Sequence, residues 1–239
     1  MKIIQVTGVS GSGKTTFIRS LIPLLTRSGP VGTVKHTGHH SMLLPKGKDT
    51  TVMFEAGALV VAGIDQEKTL ITLKGTSLTD ALDFLAGQGV AVAVIEGYKG
   101  SSLPKVVIGN LEAEGCVLRD PAPGDVIPVL HRFPDYVTLG EILRELGETC
   151  RERGNQPCTT ATVTIPLPAG AKQAPQELPA LMRRMEAIPG VIGARAAIRQ
   201  GALFGGTDEL LVAVAAGTGE EASSALQLAL HVYRENTRR

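Results

Sequence analysis

The sequence predicts an α/β fold with a mostly parallel sheet, followed by a small C-terminal α+β module. Three observations predict it. Residues 8–15 read Gly8-Val9-Ser10-Gly11-Ser12-Gly13-Lys14-Thr15, filling every fixed position of the phosphate-loop pattern G-x-x-x-x-G-K-[ST]. From residue 1 to about 148, short apolar runs alternate with helical stretches. A polar segment containing Gly and Pro, CRERGNQPC at 150–158, then separates this part from a second with its own element order.

The first strand, 2–6, contains Ile3-Ile4-Gln5-Val6, whose β-branched residues suit a buried strand. The glycine loop follows, and a helix over 14–28 opens on it, with Phe17, Ile18, Leu21 and Ile22 at helical spacing. Strands are expected at 31–35, 58–62 and 69–72, with helices at 50–56 and 77–87. Residues 90–95 form a continuous apolar run, as expected of a central strand covered on both faces. A strand at 105–109, a last one near 126–130 and a helix at 138–147 complete the first part. Beyond the linker, strand 159–165, helix 177–188, strands 190–198 and 208–215 and helix 220–236 give a β-α-β-β-α order. That order suggests a separate module rather than a continuation of the parallel sheet. The expected division is 1–149, a linker at 150–158, and a module at 159–239.

Composition narrows the function. The net charge of +1 on 239 residues gives no bulk attraction to nucleic acid or to a charged membrane. No apolar run is long enough to span a bilayer, so no membrane association is expected. The three cysteines, Cys116, Cys150 and Cys158, include no C-x-x-C pair, which argues against a disulfide framework or zinc site and for a cytoplasmic setting. Tryptophan is absent and aromatics make up 3%, so the cores must be aliphatic.

The loop defines the chemistry. Glycines at 8, 11 and 13 let the backbone turn tightly around phosphate oxygens, with Ser10 and Ser12 between them. The helix that follows presents free N–H groups and a positive dipole end. Lys14 is placed for the β- and γ-phosphates, and the Thr15 hydroxyl for Mg²⁺. This is the site of a P-loop NTPase. Glu96 ends the apolar strand and precedes Gly97, at the carboxyl edge where such sheets collect ligands. It either holds Mg²⁺ and the attacking water, or only pairs with Lys99 in solvent. Lys35-His36-Thr37-Gly38-His39-His40 closes the second strand; phosphate or substrate contact by Lys35 and His36 is weighed there against a metal site. Asp49 is either a helix cap, as is Thr50, or a partner of Thr15 around Mg²⁺.

Taken together, GVSGSGKTT at 8–16, VGTVKHTGHH at 31–40, GKDT at 47–50 with EAGA at 55–58, and VIEGYKGSSLPK at 94–105 resemble the molybdopterin-guanine dinucleotide biosynthesis protein B family over roughly residues 1–147. The resemblance implies a GTP-binding protein with weak Mg²⁺-dependent GTPase activity, usually a homodimer. It further implies a role assisting the molybdopterin guanylyltransferase that attaches GMP to molybdopterin. Carried over, Gly11, Gly13, Lys14, Thr15 and Thr16 would hold phosphates and Mg²⁺. Glu96 would be the acidic residue on the metal side, catalytic together with Lys14, with Asp49 as companion. No N-K-x-D sequence reads guanine; Arg132 and Asp135 are the nearest late candidates, so base preference rests on the family.

The second part resembles the latter half of the molybdopterin synthase large subunit, through Ile198 to Leu203, Gly206, the strand Glu209 to Ala215 and a helix from about Glu220. That family's His-Arg pair falls on Thr218-Gly219, and its lysine-rich end is missing, so a remnant without synthase activity is implied. Two other functions are open. A small-molecule kinase would need an Arg-rich lid, yet 97–125 holds only Lys99, Lys105 and Arg119 as basic residues. A nucleotide-gated scaffold or metallochaperone would use His36, His39 and His40.

Overall fold

The computed structural model describes residues 1–38, 42–75, 77–154, 158–168, 177–204 and 206–236. A five-stranded sheet forms the first part, made of β1 (Lys2–Gly8), β2 (Val31–Lys35), β5 (Val92–Glu96), β6 (Lys105–Ile108) and β7 (Cys116–Arg119). Its order is β2-β5-β1-β6-β7, and every pairing is parallel. The α/β expectation holds. Ile4, Val6, Val92 and Val94 point to one face, covered by α1 (Lys14–Leu25) through Phe17, Ile18, Leu21 and Leu25. Ile3, Ala93 and Ile95 point to the other, covered by Leu78, Leu82 and Ala86 of α3 (Leu78–Gly87). This two-sided burial is why the strands read as continuous apolar runs. Ser77 caps α3 by accepting from the Asp80 N–H at 3.1 Å, and Asp80 returns a bond to the Ser77 N–H at 2.9 Å.

Several expectations need correction. The strand expected near 126–130 is a 3₁₀ helix, Pro123–Arg132. Pro123 and Pro128 lack N–H groups for a ladder, and Val126 is buried against α1's core instead. The sheet's outer edge is formed by β7, which periodicity did not reveal. The 58–62 and 69–72 strands are β3 (Val60–Ile64) and β4 (Thr69–Leu73), an antiparallel hairpin separate from the main sheet. Their connection is far too short for a parallel crossover, and Asp65 closes it by accepting from the N–H groups of Glu67 and Lys68 at 2.8 Å. Helix α2 is Asp49–Glu55 with Lys48 as its N-cap, so neither Asp49 nor Thr50 is the cap. The expected 14–28 helix is α-helical to Leu25, with a 3₁₀ turn over Thr26–Ser28.

Helix α4 (Leu139–Glu152) runs into the expected linker, of which residues 155–157 lie outside the described residues. Beyond it, β8 (Thr159–Pro166), α5 (Leu178–Glu186), β9 (Val191–Arg199), β10 (Glu209–Ala216) and α6 (Gly219–Asn236) follow the anticipated order. They form an antiparallel sheet, β8-β10-β9. Leu181 and Met185 of α5 and Ala225 and Ala229 of α6 cover one face of it. Ile142, Leu146 and Cys150 of α4 cover the other, against Leu211, Ala213 and Ala215. Thus α4 serves the second sheet, and its apolar face is a core surface of both parts' junction. From the other direction, Phe204 is buried among the core residues of the first part, edge-on to Tyr136 with ring centroids 5.0 Å apart. Arg199 ties the same junction by pairing with Asp83 at 3.2 Å and with Glu209.

Cys158 Sγ donates to Cys150 Sγ at 3.2 Å. Burial, followed by that hydrogen bond, pushes the Cys150 thiol up to about 11 from an ordinary value near 9. An unfolded thiol therefore ionises first. The stability this contributes is full below pH 9 and is lost as pH rises through 11. We expect the Tm difference between the native chain and Cys150→Ala to narrow across that window; thermal melts at pH 8, 9, 10 and 11 check this. At pH 8, iodoacetamide should modify exposed Cys116 first and spare buried Cys150, as read by peptide mass spectrometry.

Candidate functional site

The phosphate loop leaves β1 and enters α1 through Gly13, whose φ of 89° lies in the left-handed region that glycine tolerates. The start of α1 has no side-chain cap and no acidic residue in its own first turn. Its unsatisfied N–H groups and positive dipole end are left for an anion. Lys14 folds back along the loop and donates to the Val9 carbonyl at 2.6 Å. The buried Ser12 hydroxyl has no partner among the described residues. A free helix start, a lysine resting on its own loop and an unpartnered hydroxyl fit a polyphosphate.

Glu96 ends β5 directly opposite Lys35 of β2 and Val6 of β1. Thr15 Oγ1 donates to its two carboxylate oxygens at 3.2 and 3.3 Å. Lys35 Nζ lies 3.3 Å from Oε1. Of the two readings of Glu96, the one that pairs it with Lys99 is wrong: its cationic partner is Lys35, on a neighbouring strand. Thr15 and Glu96 give two hard oxygen donors beside the phosphate loop, a donor set suited to Mg²⁺, which keeps waters and phosphates as its other ligands. Asp49 is not brought to this cluster. Its side chain makes no hydrogen bond or ion pair among the described residues, and it lines a separate cavity with Pro45, Thr51 and Leu70. His36 follows Lys35 and stacks on Tyr98 at a centroid distance of 4.1 Å. His39 and His40 lie outside the described residues. No cluster of three metal-ligating side chains occurs among the described residues.

Three residues that hold the site were missed in the sequence. Gln5 sits wholly buried in β1; its amide donates to the carbonyls of Gly97 and Tyr98, both at 2.7 Å, and its oxygen accepts from Ser101 at 2.8 Å. Lys105, also wholly buried, donates to the Ser101 carbonyl. Burial holds its ammonium below the ordinary lysine range, opposed by Glu114 and Cys116. Tyr98 adopts φ 49°, rare for a non-glycine residue. The one available signal was a polar residue inside each apolar strand, Gln5 and Lys105. Gly97 has φ 105°, and a Cβ there would meet His36 Cβ and the His36 carbonyl at 3.1 Å. The loop after Glu96 is therefore clamped from beneath and pressed against β2.

The parallel sheet, the glycine loop and the Thr15–Glu96–Lys35 cluster define a P-loop nucleotide-binding protein of the α/β class. A family model described as "Molybdopterin guanine dinucleotide synthesis protein B" matches residues 3–129. The chain belongs to that family. A molybdopterin-guanine dinucleotide biosynthesis adapter protein of Haemophilus influenzae is 35% identical over 115 residues, covering 46% of this chain and 64% of that protein. A probable adapter protein of the same description from Bacillus subtilis is 32% identical over 147 residues, covering 57% of this chain and 79% of that one. The match thus spans just under two thirds of the Haemophilus protein's length. Among solved structures, that of Bacillus subtilis MobB is 26% identical and aligns with a TM-score of 0.45, covering 56% of this chain and 99% of that one. No helix among the described residues is long and apolar enough to cross a membrane.

Proposed function

We propose that this chain is an adapter in the attachment of GMP to molybdopterin, binding GTP with Mg²⁺ and hydrolysing it slowly. The observation that carries the reading is the meeting of Thr15, Glu96 and Lys35 beside the phosphate loop. When bound, Mg²⁺ would neutralise phosphate charge; Thr15 and Glu96 would hold it. Lys14 would leave the Val9 carbonyl for the phosphates, and Gly8, Ser10, Gly11, Ser12, Gly13 and Thr16 would complete the cradle. Lys35 balances the Glu96 charge, and His36 stands at the edge of the site. Asp49 would have to act on the metal through α2 moving toward Thr15. Among the described residues no arginine contacts Lys14, Thr15 or Glu96, which supports slow turnover, since an arginine finger supplies a large rate factor.

The adapter role follows the names of the relatives, and the molybdopterin guanylyltransferase is the partner that the family resemblance implies. A homodimer is supported by the α2 and β3–β4 surface, where Met53, Leu59, Ile64 and Leu70 are 57 to 80% exposed. We assign residues 159–239 to an accessory module docked on α4.

Calorimetry of the intact chain with GTP and with ATP, each with Mg²⁺ and again with EDTA, tests the reading. GTP should bind at least about tenfold tighter than ATP, a difference of about 1.4 kcal/mol, and should weaken without the metal. Tight ATP binding with no GTP binding would overturn it.

A further inference from the structure

A cavity of about 460 Å³ lies where the two parts of the chain meet, one step beyond the Lys35–Glu96 pair. That volume falls in the range of small-molecule sites. One side is formed by His36, Tyr98, Lys99 and Ser101, from the loops after β2 and β5. The C-terminal part contributes Ala202, Leu203 and Phe204, the last of which anchors that segment in the first part's core.

The walls are unlike one another. The His36 and Tyr98 rings, stacked at 4.1 Å and 20° from parallel, both line the cavity and leave the outer face of the pair for a further ring. Leu203 gives an apolar one. Lys99 is exposed and has no acidic partner among the described residues, although Glu96 is three positions away. The Tyr98 backbone is in a costly left-handed conformation; Gln5 holds its carbonyl from below, and Lys105 holds the carbonyl of Ser101 further along the same loop. Strain of that kind persists where surrounding structure enforces it, and it clusters at ligand sites. Two wholly buried polar side chains are spent on one loop whose exposed face is this cavity.

We propose that the cavity is a second ligand site, distinct from the nucleotide cradle, for a planar heteroaromatic anion. Its ring stacks on the outer face of the His36–Tyr98 pair, its negative group meets Lys99, and Leu203 adds an apolar contact. The C-terminal part therefore completes a binding site, and does not only dock on the first part. His36 directly follows Lys35, and Tyr98 follows Glu96 after Gly97, so the aromatic wall continues from the strand ends that carry the Lys35–Glu96 pair.

The test uses pterin-6-carboxylate, a fluorescent planar heteroaromatic with one carboxylate, and unsubstituted pterin as its neutral counterpart. The intact chain should quench the carboxylate probe saturably, with GTP leaving that titration in place. Ala202→Trp fills the cavity from an exposed position and should weaken the probe at least about tenfold, while GTP affinity stays unchanged. Lys99→Ala, also at an exposed position, should weaken the carboxylate probe about threefold or more and leave pterin unaffected, as expected for one solvent-facing charge pair. Because GTP binding is measured on the same samples, failure of the nucleotide reading and failure of this one are read separately. Absence of saturable quenching by the intact chain would overturn the proposal. So would an unchanged Ala202→Trp titration, equal losses of both probes in Lys99→Ala, or competitive displacement by GTP.

Discussion

Lys14→Ala should raise the Kd for the nucleoside triphosphate by roughly ten- to more than a hundredfold, the equivalent of the 1.5–3 kcal/mol that a charged hydrogen bond contributes. In the free protein the ammonium has one partner among the described residues, the Val9 carbonyl at 2.6 Å. Exchanging that neutral acceptor for phosphate oxygens is where the affinity arises, because a charged acceptor bonds about twice as strongly. Lys14 is half-buried at the loop and belongs to none of the apolar core clusters, so the variant should melt within about 2 °C of the native chain, as substitutions outside the core do. Calorimetry and a thermal melt of the same sample check both parts. A Kd within threefold of native would show that the triphosphate binds elsewhere.

The second large effect concerns the junction. Phe204→Ala should cost about 3 kcal/mol, the usual range for emptying a buried phenylalanine site. For a chain of this size that corresponds to a fall in Tm of about 6 to 12 °C. Phe204 is 5% exposed and packs edge-on against Tyr136, which is wholly buried. Tyr136 in turn donates to Asp83 at 2.9 Å, and Asp83 pairs with Arg199. Removing the ring leaves a cavity in the first part's core and loosens the polar chain beside it. Nucleotide affinity at 20 °C should be unchanged, because none of these residues touches the phosphate loop. A melt that separates into two steps, with the first part unmoved, would show that the two parts do not share a core.

The residues explain which features could be read in advance. The alternation of strands and helices was legible because burial on both sheet faces leaves a continuous apolar run, as at Val92 to Ile95. The hairpin was misplaced because an exposed two-stranded ribbon and a sheet strand share the same short β-branched runs. The 3₁₀ helix at Pro123–Arg132 reads as a strand in the sequence because its apolar residues pack on α1 without using a ladder. At the site, the separate halves of the Thr15–Glu96 contact were recognised, but the Lys35 pairing was not. It depends on β2 lying beside β5 in a register that puts residue 35 opposite residue 96.

The phosphate loop was determined by sequence alone. Its eight residues are contiguous, and its function resides in their own backbone conformations and in the helix they open. What only the tertiary structure decided is everything assembled across strands: Glu96 between Thr15 and Lys35, Gln5 and Lys105 beneath Tyr98, and Phe204 in the core of the first part. Apart from the Lys105 bond to Ser101, which spans four positions, those contacts join residues 61 to more than 100 positions apart, and a parallel sheet sets the distances between its strands by strand order and register. Burial on both faces fixes that register, and no local pattern encodes it.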